Sequence, residues 1–437
     1  MQRFGLEDYR RFLGNIHVEQ PIAADDPFYV DLGEGRGGSA ARRLTGAIVG
    51  ARRGEYTHQL LSGFPGSGKS TELLVLESRL RGRGYEPIYL DVDQFVSKSK
   101  PLEPGDILLA IGAALFDAGR AVSPFQQIAA RLKALLLTRV HVSETDLKAG
   151  VPGAEASLKV VFEKHTDLFG EFRRVLEQED LGLFHAVQTM VADLQQGREG
   201  RVVLLVDSLE HTLTLSNRVL QDSETLRRTM IEDAQLRELP IHCVFTVSPL
   251  LLPYADAVGR VYNNDLLIVP AVGVLGRDGE ENSEAVTTLV EVLRRRVDLA
   301  LFARGEDDVR TAVRASGGYL RDLFRIVRSA LYTVDFDDFG AIPTVALEKE
   351  IDRMASATAA ALTIETSAVL RQVVEHPGQL LPSEADRPLL FSLYREPLLL
   401  RYMNGGAYDV AHPLVVRTLQ RDLYERRVFP GGRQGPL

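Results

Sequence analysis

The stretch "GFPGSGKS", residues 63–70, packs three glycines, a proline and a lysine into eight positions. Glycines so close together cost backbone entropy and break helix or strand, so the segment reads as a loop. Its spacing, Gly63-x4-Gly68-Lys69-Ser70, fits the phosphate-binding loop pattern, with the apolar run "THQLLS" before it and the helical "KSTELLVLESRL" after it. Glycines let backbone N–H groups converge on phosphate oxygens, and a helix start adds unpaired donors at a positive dipole end. On this reading Gly63, Pro65, Gly66, Ser67, Gly68, Lys69, Ser70 and Thr71 surround the phosphates. Lys69 reaches the β and γ phosphates and the Ser70 hydroxyl ligates Mg²⁺.

A magnesium nucleotide also needs a carboxylate at a neighbouring strand end, and "VVLLVDSLEH" supplies Asp207 after five apolar residues. The bland alternative for an Asp ending a strand is turn chemistry or a helix cap. Glu210 is the nearest carboxylate that could activate a water, against a solvated or structural role. In "FTVSP" Thr246 and Ser248 finish another apolar run, where Thr is also common through β propensity alone. "SGGYLRDLFRIVRSA" reads as a helix with Arg321 near its start and Arg325 and Arg328 on the same face, a pattern that an exposed basic stripe would also give.

These residues need elements to hold them. Short apolar runs alternate with longer helical patterns, the rhythm of an α/β sheet. Candidate strands cover residues 57–62, 87–92, 201–208, 241–248 and 265–272, and their continuous apolar character suggests strands buried on both faces of a parallel sheet. About 100 residues separate the second from the third, far more than a simple crossover needs, so a helical insertion around 101–200 is expected. Within it "DILLAIGAALFDAG" and "HTDLFGEFRRVLEQ" read as helices and "VHVSETDLKAGVPG" as a loop or small hairpin. Beyond "GRDGEENSE" the chain turns helical: "SEAVTTLVEVLRRRVDLALF", residues 283–302, and "GGYLRDLFRIVRSALYTV" both show apolar residues at helical spacing, the second with a stripe of Leu320, Leu323, Phe324, Val327 and Leu331. Near the end, Asn404 and Gly405 sit between two strand-like runs, a hairpin signal. The expected organisation is a core over 1–275, a helical lid over 276–359 and a winged-helix-like domain over 360–437.

The chain has 437 residues, 45% hydrophobic and 25% charged, which describes an ordinary globular protein of two or three domains. Its net charge of −9 gives no general attraction to nucleic acid or anionic membrane. The single cysteine, Cys243, lies in an apolar run and reads as a core thiol. The N-terminal sequence has no signal-peptide pattern and no apolar run is long enough to span a membrane, so a cytoplasmic location is expected. The nine histidines are scattered, with His211 and His412 read as structural or turn residues.

Together these parts resemble the additional-strand class of P-loop ATPases, within it the STAND and origin-recognition-like branches of AAA+ proteins, over residues 28–330. "FYVDLGEGR" and "YMNGGAYDVAHPLV" look like flanks found in bacterial ATPases of this kind. The resemblance implies a three-layer core with sheet order 5-1-4-3-2, ATP/ADP and Mg²⁺ as ligands, and Asp207 in the Walker B position. Thr246 then matches sensor 1 and Arg321 sensor 2. One departure is that Ser208, not Glu, follows the Walker B Asp, which bears on fast hydrolysis and leaves Glu210 as the nearest base. The function implied is a slowly hydrolysing molecular switch, the regulatory subunit of a larger assembly such as a bacterial antiviral defence system, acting on a protein partner and able to self-assemble. Arg260 is the candidate arginine finger for a neighbour. The alternative is a DNA-associated ATPase, resembling initiators or transposition regulators, using the terminal basic residues Arg417, Arg421, Arg426 and Arg427, with which Asp422 and Glu425 interleave. A small-molecule kinase is a third class, for which no acceptor pocket is evident.

Overall fold

The computed structural model describes residues 3–17, 20–95, 103–117, 182–198, 200–210, 219–262, 264–376 and 387–428. The chain divides into two compact units, one of Met1–Ala40, Gly63–Leu74 and Val269–Leu437, the other of Ala41–Ser62 and Val75–Ile268.

The second unit holds a five-stranded parallel sheet of β1 (His58–Ser62), β2 (Glu86–Asp91), β3 (Val202–Asp207), β4 (His242–Val247) and β5 (Leu267–Ile268). Its spatial order is β2-β3-β4-β1-β5, the expected 5-1-4-3-2 of a P-loop core. Every residue of β3 and β4 is buried, because helices cover both faces; their sequences therefore run apolar instead of alternating. Register places Asp91 opposite Asp207 and Ser62 opposite Val247, so the polar strand ends share the sheet's carboxyl edge.

β5 is much shorter than the run over 265–272 suggested. Pro270 cannot donate to a ladder, and the chain leaves the sheet there. The helix at "DILLAIGAALFD" is present as Pro104–Asp117, with Ile107–Ile111 buried throughout, and packs on the helix Leu183–Gln195. The expected helix over 165–178, the loop over 140–153 and His211 lie outside the described residues.

In the first unit four helices, Ser283–Arg294, Glu306–Ser316, Leu320–Leu331 and Thr344–Ala359, fill the stretch for which a helical lid is expected. Sequence periodicity suggested that the first of these runs on to residue 302. Instead it stops at Arg294, and Asp298 caps a separate short turn, its side chain accepting from Ala300 N at 2.9 Å. On Leu320–Leu331 the residues Leu323, Phe324, Val327 and Leu331 are buried as the stripe required, while Leu320 is only half-buried.

Helices Ile364–Glu375 and Arg387–Arg395, an antiparallel hairpin of Leu399–Tyr402 with Tyr408–Ala411, and a last helix Pro413–Val428 complete a winged-helix-like order. Gly405 and Gly406 adopt φ of +76° and +103° at the hairpin tip, conformations that explain the glycines there. No helix among the described residues is long and apolar enough to cross a membrane.

Candidate phosphate site and strand-end cluster

In the first unit, residues 63–68 lead into the first turns, as far as Leu74, of helix α1 (Lys69–Arg81). Gly66 and Gly68 have φ of +82° and +100°, the left-handed region in which a side chain is strained. Gly63 is glycine for another reason: a Cβ there would lie 2.7 Å from Ser67 Oγ and from the Val269 carbonyl oxygen. Lys69 turns back over the loop and donates to the carbonyls of Gly63 at 2.9 Å and Phe64 at 3.2 Å. Ser67 Oγ is buried with no hydrogen-bond partner. Ser70 and Thr71 follow in the first helical turn, half-buried, with Thr71 Oγ1 accepting from Ile22 N at 3.4 Å. Two glycines in left-handed backbone, a buried orphan hydroxyl, an internally directed ammonium and a helix start fit a polyphosphate.

Arg321, on the lid helix α2 (Leu320–Leu331), lies directly over this loop. A Cβ added to Gly66 would sit 2.8 Å from Arg321 Cβ and 3.2 Å from its Nε. Arg325 instead pairs with Asp322 at 3.1 Å, and Arg328 donates to the Ile16 carbonyl at 3.4 Å. The expected shared basic face therefore resolves into one arginine at the loop and two engaged elsewhere.

Four side chains at this loop, Arg36, Glu72, Tyr319 and Tyr394, escaped the sequence reading. Arg36 donates from Nη2 to the Ser67 carbonyl at 2.5 Å, and its Nη1 lies 3.7 Å from Glu72 Oε1. Burial pulls its pKa down, while Glu72 works the other way. Tyr319 donates its hydroxyl to the Pro65 carbonyl. Its ring packs against Phe64, 6.3 Å between centroids, and Phe64 packs in turn against Tyr394 at 6.0 Å. The "GEGR" flank carried a faint signal for Arg36; nothing local marked Tyr319.

In the second unit, Asp207, Glu210 and Thr246 come together at the carboxyl edge of β3 and β4. Thr246 Oγ1 is 2.8 Å from Asp207 Oδ1 and 3.1 Å from Glu210 Oε2, and it accepts from Ser208 N at 2.9 Å. One hydroxyl proton can serve only one of those carboxylates at a time, so Thr246 links their orientations. Asp207 also accepts from Ser208 N at 2.9 Å and, through Oδ2, from the Tyr89 hydroxyl at 2.5 Å.

Ser208 itself has φ +70°, the one non-glycine residue with positive φ among those described. A strained, buried backbone directly after a strand-end Asp is the kind of cost that functional sites carry. Its neighbour Asp91, opposite Asp207 across β2 and β3, has its pKa pushed up chiefly by burial, with Asp93 and Asp207 adding to the effect and the Ser208 hydroxyl opposing it. Ser248, expected beside Thr246 as a strand end, lies just past β4 and caps the next turn, accepting from Leu250 N at 3.3 Å. Arg260 is exposed on helix Ala255–Tyr262 of this unit.

His412 is buried, as a packed turn residue should be. Its Nδ1 accepts from Leu414 N at 3.2 Å, and its Nε2 lies 3.1 Å from Asp322 Oδ2. Arg417 is held by Asp352 at 2.6 Å and Glu348 at 2.7 Å, while the side chains of Arg421, Arg426 and Arg427 lie outside the described residues.

No protein-family model and no curated protein matches this chain. Among solved structures it is similar to a Walker-type ATPase of Pyrococcus abyssi, with 16% identity and a TM-score of 0.45, covering 93% of this chain and 99% of that one. It is also similar to the ORC2 protein of Aeropyrum pernix, solved in ADPNP-ADP complexes, with 13% identity and a TM-score of 0.41 over 96% of this chain and 99% of that one. A third similar structure is the ORC1 protein of Aeropyrum pernix in complex with DNA, at 14% identity and a TM-score of 0.37, covering 97% of this chain and 98% of that one.

Proposed function

We propose that this chain is an ATP-binding molecular switch of the AAA+ type that hydrolyses slowly and passes its state to a protein partner. The observation that carries the reading is the loop itself: Gly66 and Gly68 in left-handed conformations, opening a helix at Lys69, whose ammonium is turned back onto the loop. Residues 276–359 act as the lid and 360–437 as the domain that the lid moves.

In this reading the backbone N–H groups of residues 66–70 and the Lys69 ammonium hold the β and γ phosphates. Ser70 directly, and Asp207 through water, would hold Mg²⁺, which supplies neutralisation of phosphate charge when bound. Glu210 orients and deprotonates the attacking water, and Thr246 fixes the carboxylate's direction. Arg321, lying against Gly66, reads whether a γ-phosphate is present. Ser208 in place of a second carboxylate directly after Asp207 leaves Glu210, two residues beyond Ser208, as the base candidate, which accounts for slow turnover.

Nucleotide content and steady-state turnover of the purified chain test this, compared with Lys69→Ala and Glu210→Gln. Bound ATP or ADP lost in the lysine variant, with turnover abolished and binding kept in the glutamate variant, is the expected result. An empty wild-type protein with no turnover would sink the reading.

The DNA-associated alternative draws on the winged-helix-like order of the C-terminal elements. Weighing against it, Arg417 is already engaged by Asp352 and Glu348. A DNA affinity that falls steeply with salt would restore it, because phosphate contacts release counterions.

A further inference from the structure

Two glycines of the first unit are glycines because the C-terminal hairpin tip presses on them. A Cβ at Gly273 would collide with Asn404 Oδ1, and a Cβ at Gly37 with the Met403 carbonyl. Gly273 has no left-handed φ to explain its identity, so close approach is the remaining physical reason. The tip is also braced from behind, since the Tyr408 hydroxyl lies 2.9 Å from Asn404 Oδ1 and 2.6 Å from the Leu275 carbonyl and shares its one proton between them.

What the tip presses on is not inert. Gly37, at φ +72°, ends the short turn Glu34–Arg36, and Gly273 N donates to the Gly35 carbonyl at 2.8 Å. That turn carries Arg36, whose buried guanidinium holds the Ser67 carbonyl of the phosphate loop. If the turn shifts, the desolvated guanidinium and the Ser67 carbonyl lose each other, a costly loss for buried groups, and the peptide leading to Gly68 is free to reorient.

We propose that the hairpin tip, residues 403–407, is a positioning element for the phosphate loop, acting through Gly37 and Arg36, so that lifting the hairpin loosens the hold on nucleotide. By linkage, nucleotide binding tightens the hairpin by the same free energy. This inference rests on the nucleotide reading above and adds to it the route by which the C-terminal domain is coupled.

The test is a steric exchange in the full-length protein, read by titration with the fluorescent nucleotide mant-ADP and by amide exchange at 403–407. Gly273→Ala is expected to weaken mant-ADP by roughly 2- to 30-fold and to speed exchange at the tip. The double variant Gly273→Ala/Asn404→Gly, in which the lost side chain makes room for the new methyl, is expected to recover most of both, falling short of wild type by the smaller effect of the lost Tyr408 brace. Should Gly273→Ala fold poorly, Tyr408→Phe removes the brace and is expected to shift affinity in the same direction by less. Wild-type affinity in Gly273→Ala and in Tyr408→Phe, or a loss in Gly273→Ala that adding Asn404→Gly does not relieve, overturns the proposal. Failure of the wild-type chain to bind mant-ADP at all is a distinct result, and overturns the nucleotide reading together with this one.

Discussion

The two edges of the same parallel sheet treat buried polarity in opposite ways. At the amino edge, β1 and β4 begin with His58 and His242, each kept neutral. His242 Nδ1 accepts from Thr57 N at 3.0 Å, and His58 Nε2 lies 3.1 Å from the Leu239 carbonyl. Burial pushes both pKa values down to about 4, with His242 and Arg237 adding to the effect on His58. At the carboxyl edge the chain instead sets Asp207 and Glu210 on one threonine hydroxyl, with Asp91 beside a serine of strained backbone. Neutral groups are the inexpensive solution to burial, and the reading proposed above gives the carboxylates at the other edge their purpose, to serve a cation or a proton transfer.

The largest effect expected at the carboxyl edge is on chemistry. Glu210→Gln should lower ATP turnover by about 10²- to 10⁴-fold while nucleotide still binds. Turnover at the wild-type rate in that variant would remove Glu210 as the base and shift attention to Asp91.

The amino edge should show itself in stability. Each histidine's folded pKa lies below its unfolded value near 6.5, so the unfolded chain binds more protons between about pH 4 and 6.5. Stability from these two groups is therefore fully present above about pH 6.5 and is lost as pH falls toward 4, by on the order of 3 kcal/mol for each. Urea unfolding at a series of pH values checks this, and His58→Gln with His242→Gln should flatten the acid limb. A slope unchanged in the double variant would place the titrating groups elsewhere.

Smaller effects should separate packing from function at the carboxyl edge. Thr246→Val keeps the shape but removes the bridge between Asp207 and Glu210, and should cost about 1–3 kcal/mol while also lowering turnover. Ser208→Gly relieves the left-handed backbone, and its effect on stability should not exceed about 1 kcal/mol, with turnover reduced if the hydroxyl at Asp91 matters. Unaltered turnover in both variants would mean that the hydroxyls are structural, and the contrast between the edges would reduce to charge alone.

Much of this was legible in the residues. The phosphate loop has a spacing that few other structures require, and the strands stand out because burial on both faces leaves apolar runs with no alternation. β5 was overestimated because Leu266, Leu267, Ile268 and Val269 look like one strand until Pro270 is weighed as a missing donor. The helix after residue 283 was overestimated because apolar periodicity persists through Val297 and Leu301, although an aspartate cap restarts the chain between them.

What the sequence by itself determined is the local chemistry: a loop that must be glycine-rich, a lysine and serine at a helix start, carboxylates at strand ends and a turn at Asn404 and Gly405. Only the tertiary structure decided that Arg36 holds the Ser67 carbonyl, that Ser208 is forced to positive φ, and that Gly37 and Gly273 are seats for a hairpin more than a hundred residues away. The physical reason is that spacing encodes backbone conformation, which is short-range, whereas the partner of a buried polar group and the room left for a side chain depend on segments that meet only after folding.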